Sequence, residues 1–251
     1  MSLSEIRLVG VKGIPEIAAG DDLGSLIARA VRAIKFELVD KDILVIAQKV
    51  VSKAEGRCLR LDSITPSKLA SEWAAAYDKD ARMIEAVLGQ SRRIVRMERG
   101  VIISETHHGF VCANAGVDAS NVAEDLITLL PENPDLSARF IQAALEREFG
   151  VSLAVIISDT FGRPWREGIA NVAIGVAGIA PLIDYRGQID SFGRPLRVTV
   201  IAVADELASA AELVMQKSAG VPAVIIRGFD YEAREASSSE LIRPPEHDLF
   251  R

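Results

Sequence analysis

The chain has 251 residues, 49% of them hydrophobic, which is enough apolar material for one large core or two coupled ones. Its 29 Lys and Arg against 35 Asp and Glu give a net charge of -6, the wrong sign for a protein that tracks nucleic acid by counterion release. Cys58 and Cys112 have neither CxxC spacing nor the density of a disulfide framework, no apolar run reaches the ~20 residues of a membrane span, and Met1 to Ile6 lacks a signal-peptide pattern; the expectation is a cytoplasmic protein with no membrane and no nucleic-acid partner.

Ile6 to Val11 and Ile43 to Ala47 read as short strands flanking a helix from about Leu23 to Phe36, in which Leu23, Ile27, Ala30, Val31 and Ile34 keep a helical period. Thr65 and Pro66 supply an N-cap and a first-turn proline for a helix that places Leu69, Trp73 and Tyr77 on one face. A second helix runs from near Asp80 to Gly89. Ile94 to Met97, Val101 to Ser104 and Phe110 to Ala113 then read as antiparallel strands. Asn133-Pro134 opens a helix through Leu136, Phe140, Ala144, Leu145 and Phe149, closed by Gly150. Leu153 to Ile157, Val172 to Val176, Arg197 to Ala204 and Ala223 to Arg227 read as strands, with a helix from Asp205 to about Lys217, and Ala233 to Arg251 reads as a loosely packed tail. Hairpins mixed with crossovers predict an α+β fold with mixed and antiparallel sheets and flanking helices. No repeat or linker marks a domain boundary.

The run Ser158-Asp159-Thr160-Phe161-Gly162-Arg163-Pro164-Trp165-Arg166-Glu167-Gly168 follows the apolar strand directly, so a carboxylate and a hydroxyl emerge at a strand's carboxyl end, where ligands collect in open α/β sheets. If Asp159 meets Asp118 of the small-residue run Asn114-Ala115-Gly116-Val117-Asp118-Ala119-Ser120-Asn121, the two carboxylates suit Mg²⁺ or Mn²⁺, and Thr160 adds a hydroxyl for a second ion. The alternative is that Asp118 and Asn121 shape a turn and Asp159 caps a helix. Lys49, Lys53 and Arg57 beside Gln48 form a basic stretch that either grips phosphate or is a solvated face. Arg163 and Arg166 carry the same two readings. Trp165 is expected in the core, and His107, His108 and Cys112 are expected to be structural, since no third ligand is spaced for zinc. Neither a P-loop, a dinucleotide fingerprint nor a nucleophile elbow occurs.

Gly13-Ile14-Pro15, Val51-Ser52-Lys53-Ala54-Glu55-Gly56-Arg57, Asn114 to Asn121, Asp159-Thr160-Phe161-Gly162-Arg163 and Gly220-Val221-Pro222-Ala223-Val224 together resemble, in order and over nearly the whole chain, the coenzyme F420-0:L-glutamate ligases, or γ-glutamyl ligases. The resemblance implies a single ligase-like unit over residues 1–251, with two subdomains as an alternative, in an intertwined homodimer. It implies a GTP-dependent amide ligase that adds L-glutamate to the carboxylate of a deazaflavin phosphodiester acceptor through an acyl phosphate, with two Mg²⁺ or Mn²⁺ ions and K⁺ as a further candidate. Carried over by position, Asp118, Asp159 and Thr160 match metal contacts, and Asp118, Asp159 and Arg163 are the expected catalytic residues. Ile14, Pro15, Glu16, Ile17, Gln48, Lys49, Lys53, Asn121 and the late loop Met215, Gln216, Lys217, Ser218, Ala219, Gly220 and Val221 match nucleotide contacts. Gln48 and Lys49 stand where the family often has small hydroxyl residues, and Gln216 where glycine is common, so a paralogous ligase for another carboxylate is the alternative, with a non-catalytic nucleotide binder or a metal-dependent phosphohydrolase as rivals of other classes. Glu167, Asp205 and Glu206 are candidate general bases.

Overall fold

The computed structural model describes residues 5–249; Met1 to Ser4, part of the segment read for a leader pattern, and the last two residues of the tail lie outside them. The elements in chain order are β1 (Arg7–Gly10), α1 (Leu23–Ala33), β2 (Ile43–Ala47), α2 (Gln48–Ala54), β3 (Cys58–Arg60), α3 (Lys68–Tyr77) and α4 (Ala81–Gln90). They continue with β4 (Ser91–Glu98), β5 (Val101–Thr106), β6 (Val111–Ala113), β7 (Leu126–Thr128), α5 (Pro134–Phe149), β8 (Ala154–Gly162) and β9 (Ile169–Ala177). Last come β10 (Ile183–Asp184), β11 (Val200–Ile201), α6 (Val203–Met215) and β12 (Ala223–Arg227). The architecture is α+β.

A five-stranded mixed sheet in the order β1-β12-β2-β8-β9 forms the centre; β2 and β8 are parallel and every other pair is antiparallel. Both faces are covered, which is why β2 is an unbroken apolar run. Successive side chains alternate across a strand. Leu44 and Ile46 enter the core shared with α1 and α5, while Ile43 and Val45 enter the one shared with α6. Asp22 caps α1 by accepting from the Ser25 amide, and Asn133 and a left-handed Gly150 bound α5. A third cluster joins α3, α4 and the β4-β5-β6 sheet, with the β3-β7 pair leading back toward the centre.

Several expectations are corrected. Ser67 caps α3 in place of Thr65, and the helix buries Ala70 and Ala74 while Leu69 and Tyr77 stay exposed, because small residues let α3 sit close to α4. Leu136 and Phe140 face outward on α5, whose packed face is Ala138, Ile141 and Leu145. The strand expected over 197–204 shrinks to β11, since α6 already starts at Val203. Trp165 is 81% exposed at a hairpin tip, outside any core. The tail is tied down: Asp135, in the first turn of α5, accepts from the Ser237 and Ser238 hydroxyls and the Ser238 amide, Ser238 is buried, and Ala236, Leu241 and Ile242 pack against the two central cores.

Candidate functional site

β2 ends at Ala47, paired with Ser158, whereas β8 continues to Gly162 against β9 alone. The sequence ends this strand at Ile157, with Asp159 and Thr160 emerging beyond it; they are themselves strand residues. Beyond Ser158 the strand has lost its neighbour on one side, so both of its faces open into the same space. That space is a cavity of about 830 Å³. Asp159 follows the parity of Ile157 and Phe161, toward the α1/α5 core, and Thr160 that of Ile156, toward α6. Thr160 lies directly across from Asn171 in β9, and its Oγ1 donates to Asn171 Oδ1 at 2.7 Å.

Asp118 arrives from the other side. Asn114, Ala115 and Gly116 are three successive left-handed residues, a sharp reversal that only small side chains and an asparagine accept at low cost. The Asp118 backbone is then pinned to β7: Thr128 N donates to its carbonyl at 2.8 Å and Asp118 N donates to the Thr128 carbonyl at 3.1 Å. Its carboxylate receives the Ser120 amide at 2.7 Å and hydroxyl at 2.9 Å, and pairs with Lys49 Nζ at 2.7 Å. Asp118 therefore both makes the Asx turn and faces the cavity. Burial works against its charge, but the Lys49 and Ser120 hydrogen bonds outweigh it and hold the carboxyl below the usual aspartate range.

Asp159 behaves oppositely. Burial pushes its carboxyl up to about 6, and the charge of Asp118 adds to the rise, against the Thr160 amide and the more distant Lys49 and Lys217. The pair thus combines an ionised, well-compensated carboxylate with one whose charge is poorly compensated, an arrangement that marks a candidate functional site.

Lysines complete the electrostatics. Helix α2, absent from the sequence reading, brings Lys49 and Lys53 out of the end of β2. Lys53 Nζ pairs with Glu16. Lys217, just past α6, donates to Thr160 Oγ1 at 2.7 Å and pairs with Glu212 Oε1 at 3.0 Å. Ile14, Pro15, Glu16 and Ile17 form one wall; Met215, Gln216, Lys217, Ser218, Gly220 and Val221 form the opposite one; Gln48, Lys49, Lys53 and Asn121 also face the space.

Some expected residues stand apart. Arg163 is not in the cavity wall: its guanidinium donates to the Glu167 carbonyl at 2.6 Å and the Gly168 carbonyl, closing the β8-β9 turn. Ala219 does not line the cavity, and neither do Arg166, Glu167, Asp205 or Glu206. The Asp205 carboxylate instead accepts the Ala173 amide at 2.8 Å where β9 bulges. Gln48 is mostly committed to structure, its amide donating to Ser52 Oγ and the Leu129 carbonyl. The sequence reading missed Asn171 and Glu212, the partners of Thr160 and Lys217. Asn171 was within reach once Thr160 was singled out, had the hairpin register been assigned. His107 and His108 bond only backbone carbonyls in the contacts described, in keeping with a structural role.

The donors suit a hard divalent cation: two carboxylates, the Thr160 hydroxyl and the Asn171 amide oxygen, with no imidazole in the lining; the nearby sulfurs are the Met215 thioether and the Cys112 thiol, which the charge of Asp159 helps to keep protonated. Among the described residues no group of three or more His, Cys, Asp and Glu is placed to hold a metal ion, so the protein offers no closed cage.

Fold and cavity define the class: an α+β protein in which a central-sheet strand, overrunning its neighbour, gathers carboxylate, hydroxyl and ammonium groups in one recess. The chain belongs to the F420-0:Gamma-glutamyl ligase family, whose model matches residues 11–228. It is 51% identical to the coenzyme F420:L-glutamate ligase of Methanothermobacter thermautotrophicus over 98% of this chain and 99% of that one. It is 45% identical to the protein of the same name from Methanopyrus kandleri, over 99% of each chain, and 43% identical to that from Methanocaldococcus jannaschii, over 98% and 97%.

Proposed function

We propose that the protein is a GTP-dependent ligase that joins L-glutamate to the carboxylate of coenzyme F420-0, and extends the product by further γ-linked glutamates. The observation that carries this reading is the convergence of Asp118, Asp159 and Thr160 with Lys49, Lys53 and Lys217 in one cavity, in a chain whose relatives bear the ligase name. A carboxylate does not accept an amine directly, because oxide would have to leave. The acceptor carboxylate oxygen attacks the γ-phosphorus, GDP departs, and the glutamate amine then displaces phosphate from the acyl phosphate with loss of a proton.

Asp118, Asp159 and Thr160 would hold Mg²⁺ or Mn²⁺, which when bound neutralises triphosphate charge and polarises the transferring phosphoryl group. Lys53, only 13% exposed, carries a charge that attracts phosphate and leaves Glu16 to do so. Residues 14–17 and Met215, Gln216, Ser218, Gly220 and Val221 would flank the base and sugar, and the stiffness of β8 keeps the reacting groups aligned. Arg163 serves by shaping the hairpin and does not touch substrate. Homodimerisation is part of the proposal, and the exposed side chains Ile189, Phe192 and Val198 on the segment between β10 and β11 support it. The working compartment is the cytoplasm. No helix among the described residues is long and apolar enough to cross a membrane.

The test is a product assay with coenzyme F420-0, GTP or ATP, Mg²⁺ or Mn²⁺ and a panel of amino acids, read by mass spectrometry. Glutamylated product and GDP in equal amounts are expected with GTP and glutamate. A folded, metal-loaded sample that makes none with any amino acid would overturn the reading. Light scattering is expected to give twice the chain mass.

A further inference from the structure

Two of the oxygens assigned above to metal are occupied by the protein's own cations. Lys49 Nζ lies 2.7 Å from Asp118 Oδ2 and 3.1 Å from the Ser120 carbonyl, with its side chain 22% exposed. Lys217 Nζ lies 2.7 Å from Thr160 Oγ1 and 3.4 Å from Asn171 Oδ1, and is anchored by Glu212 Oε1 at 3.0 Å. Glu212 is itself held, its Oε2 accepting from Asn171 Nδ2 at 3.1 Å. Lys217, Glu212, Asn171 and Thr160 thus close a ring of four. Asp159, between the two lysines, has no ion pair among those described.

A divalent ion and an ammonium compete for one oxygen at these distances, since like charges a few ångströms apart repel in a partly dehydrated cleft. A lysine can give way: its head is a point charge on a flexible stem, with no fork geometry to lose. Phosphate offers it a new partner on leaving.

We propose that Lys49 and Lys217 are resident counter-cations, which occupy the Asp118 and the Thr160-Asn171 oxygens in the ligand-free protein and must be displaced by the incoming metal. Nucleotide phosphates draw the two ammonium groups off these oxygens, so nucleotide and metal each favour loading of the other. This inference rests on the metal-dependent reading above and adds the order of events in the cavity: the lysines guard the oxygens and then become phosphate ligands.

The experiment measures Mn²⁺ binding to metal-free protein without nucleotide, by the loss of the free-ion electron paramagnetic resonance signal. Lys49→Met and Lys217→Met are each expected to bind Mn²⁺ about fivefold or more tightly than the unsubstituted protein, the change that loss of a competing half-exposed pair produces. Lys53→Met removes a charge from the same cavity but from Glu16 only, and is expected to leave Mn²⁺ affinity within about twofold. With GDP present, the gain in the Lys49 and Lys217 variants should shrink, because nucleotide already holds the ammonium groups away. Unchanged or weaker Mn²⁺ binding in both variants would overturn the inference, as would an equal gain in Lys53→Met, which would mark a general field effect. The two readings fail separately: if the unsubstituted protein binds Mn²⁺ and Asp159→Asn does not, the metal site stands whatever the lysines do, whereas no Mn²⁺ binding in any variant overturns both.

Discussion

Asp159→Asn is expected to make the metal-free protein more stable and to abolish turnover. The Asp159 carboxyl is raised from its ordinary 3.8 to about 6 by burial and by Asp118. For an acid shifted upward, the folded state binds its proton more tightly than the unfolded one. Stability therefore falls as pH rises from about 4 to about 6, and the full cost persists above that window. At ~1.4 kcal/mol per tenfold difference in proton affinity the cost approaches ~3 kcal/mol. The side chain keeps some solvent contact, so screening reduces this to about 1–3 kcal/mol. Asparagine has nearly the same shape, carries no charge, and its amide oxygen can still accept from the Thr160 backbone. Thermal unfolding in excess chelator at pH 7.5 should show a melting temperature higher by roughly 2–4 °C per kcal/mol gained for a chain of this size. At pH 4 the two proteins should melt together. Equal melting temperatures at pH 7.5, or a gain that is the same at both pH values, would refute the reasoning, because the effect would then not come from the buried charge.

Other consequences are open to direct measurement. Gly175→Ala would place a methyl carbon 2.6 Å from the backbone carbonyl of Pro134 at the start of α5, and should cost roughly 3 kcal/mol in urea unfolding. Asp42→Ala leaves Arg227 without a carboxylate it holds through two bonds of 2.7 and 2.6 Å, one partner being 1% exposed; the expected loss is roughly 3 kcal/mol by the same measurement. Burial, with the charge of Asp159, pushes the Cys112 thiol up to about 12, so iodoacetamide at pH 8 should leave Cys112 intact in the folded protein and label it in urea, as followed by peptide mass mapping. Phe192→Asp combined with Val198→Asp should halve the mass seen by light scattering without lowering the melting temperature of the monomer by more than about 1 kcal/mol equivalent, since both side chains are over 80% exposed in the single chain.

The central strands were legible because burial on both faces writes them as pure apolar runs: Ile43–Ala47 and Ala223–Arg227 have the bounds the sequence predicts. Helix α2 left no such mark. It springs straight from β2 with Ala47 as its cap, and no side chain hydrogen-bonds its first turn, so the usual start signal is missing. The α3 face was misjudged for a different reason: close packing against a neighbouring helix selected Ala70 and Ala74, while hydrophobic size pointed to Leu69 and Tyr77. In the site, Asp118 and Asp159 could be named from ordered motifs, and both face one cavity. Asn171 was reachable only through the cross-strand register with Thr160, and Glu212 not at all, because its relevance comes from the position of α6 over β9. Arg163, named from the same motif, lies outside the cavity lining and gives two of its donors to the backbone of its own turn.

The overrun of β8 past β2 divides responsibility between neighbours in sequence. Asp159 answers to the Asp118 side of the molecule, Thr160 to Asn171, Lys217 and Glu212 on the α6 side, although one peptide bond joins them. The two walls are nevertheless coupled across the strand, because Lys49 from one and Lys217 from the other both act on the charge of Asp159. Libraries confined to the α6 wall and libraries confined to the Asp118 turn should therefore recombine with non-additive effects on stability, so changing what this cavity accepts calls for varying both walls together.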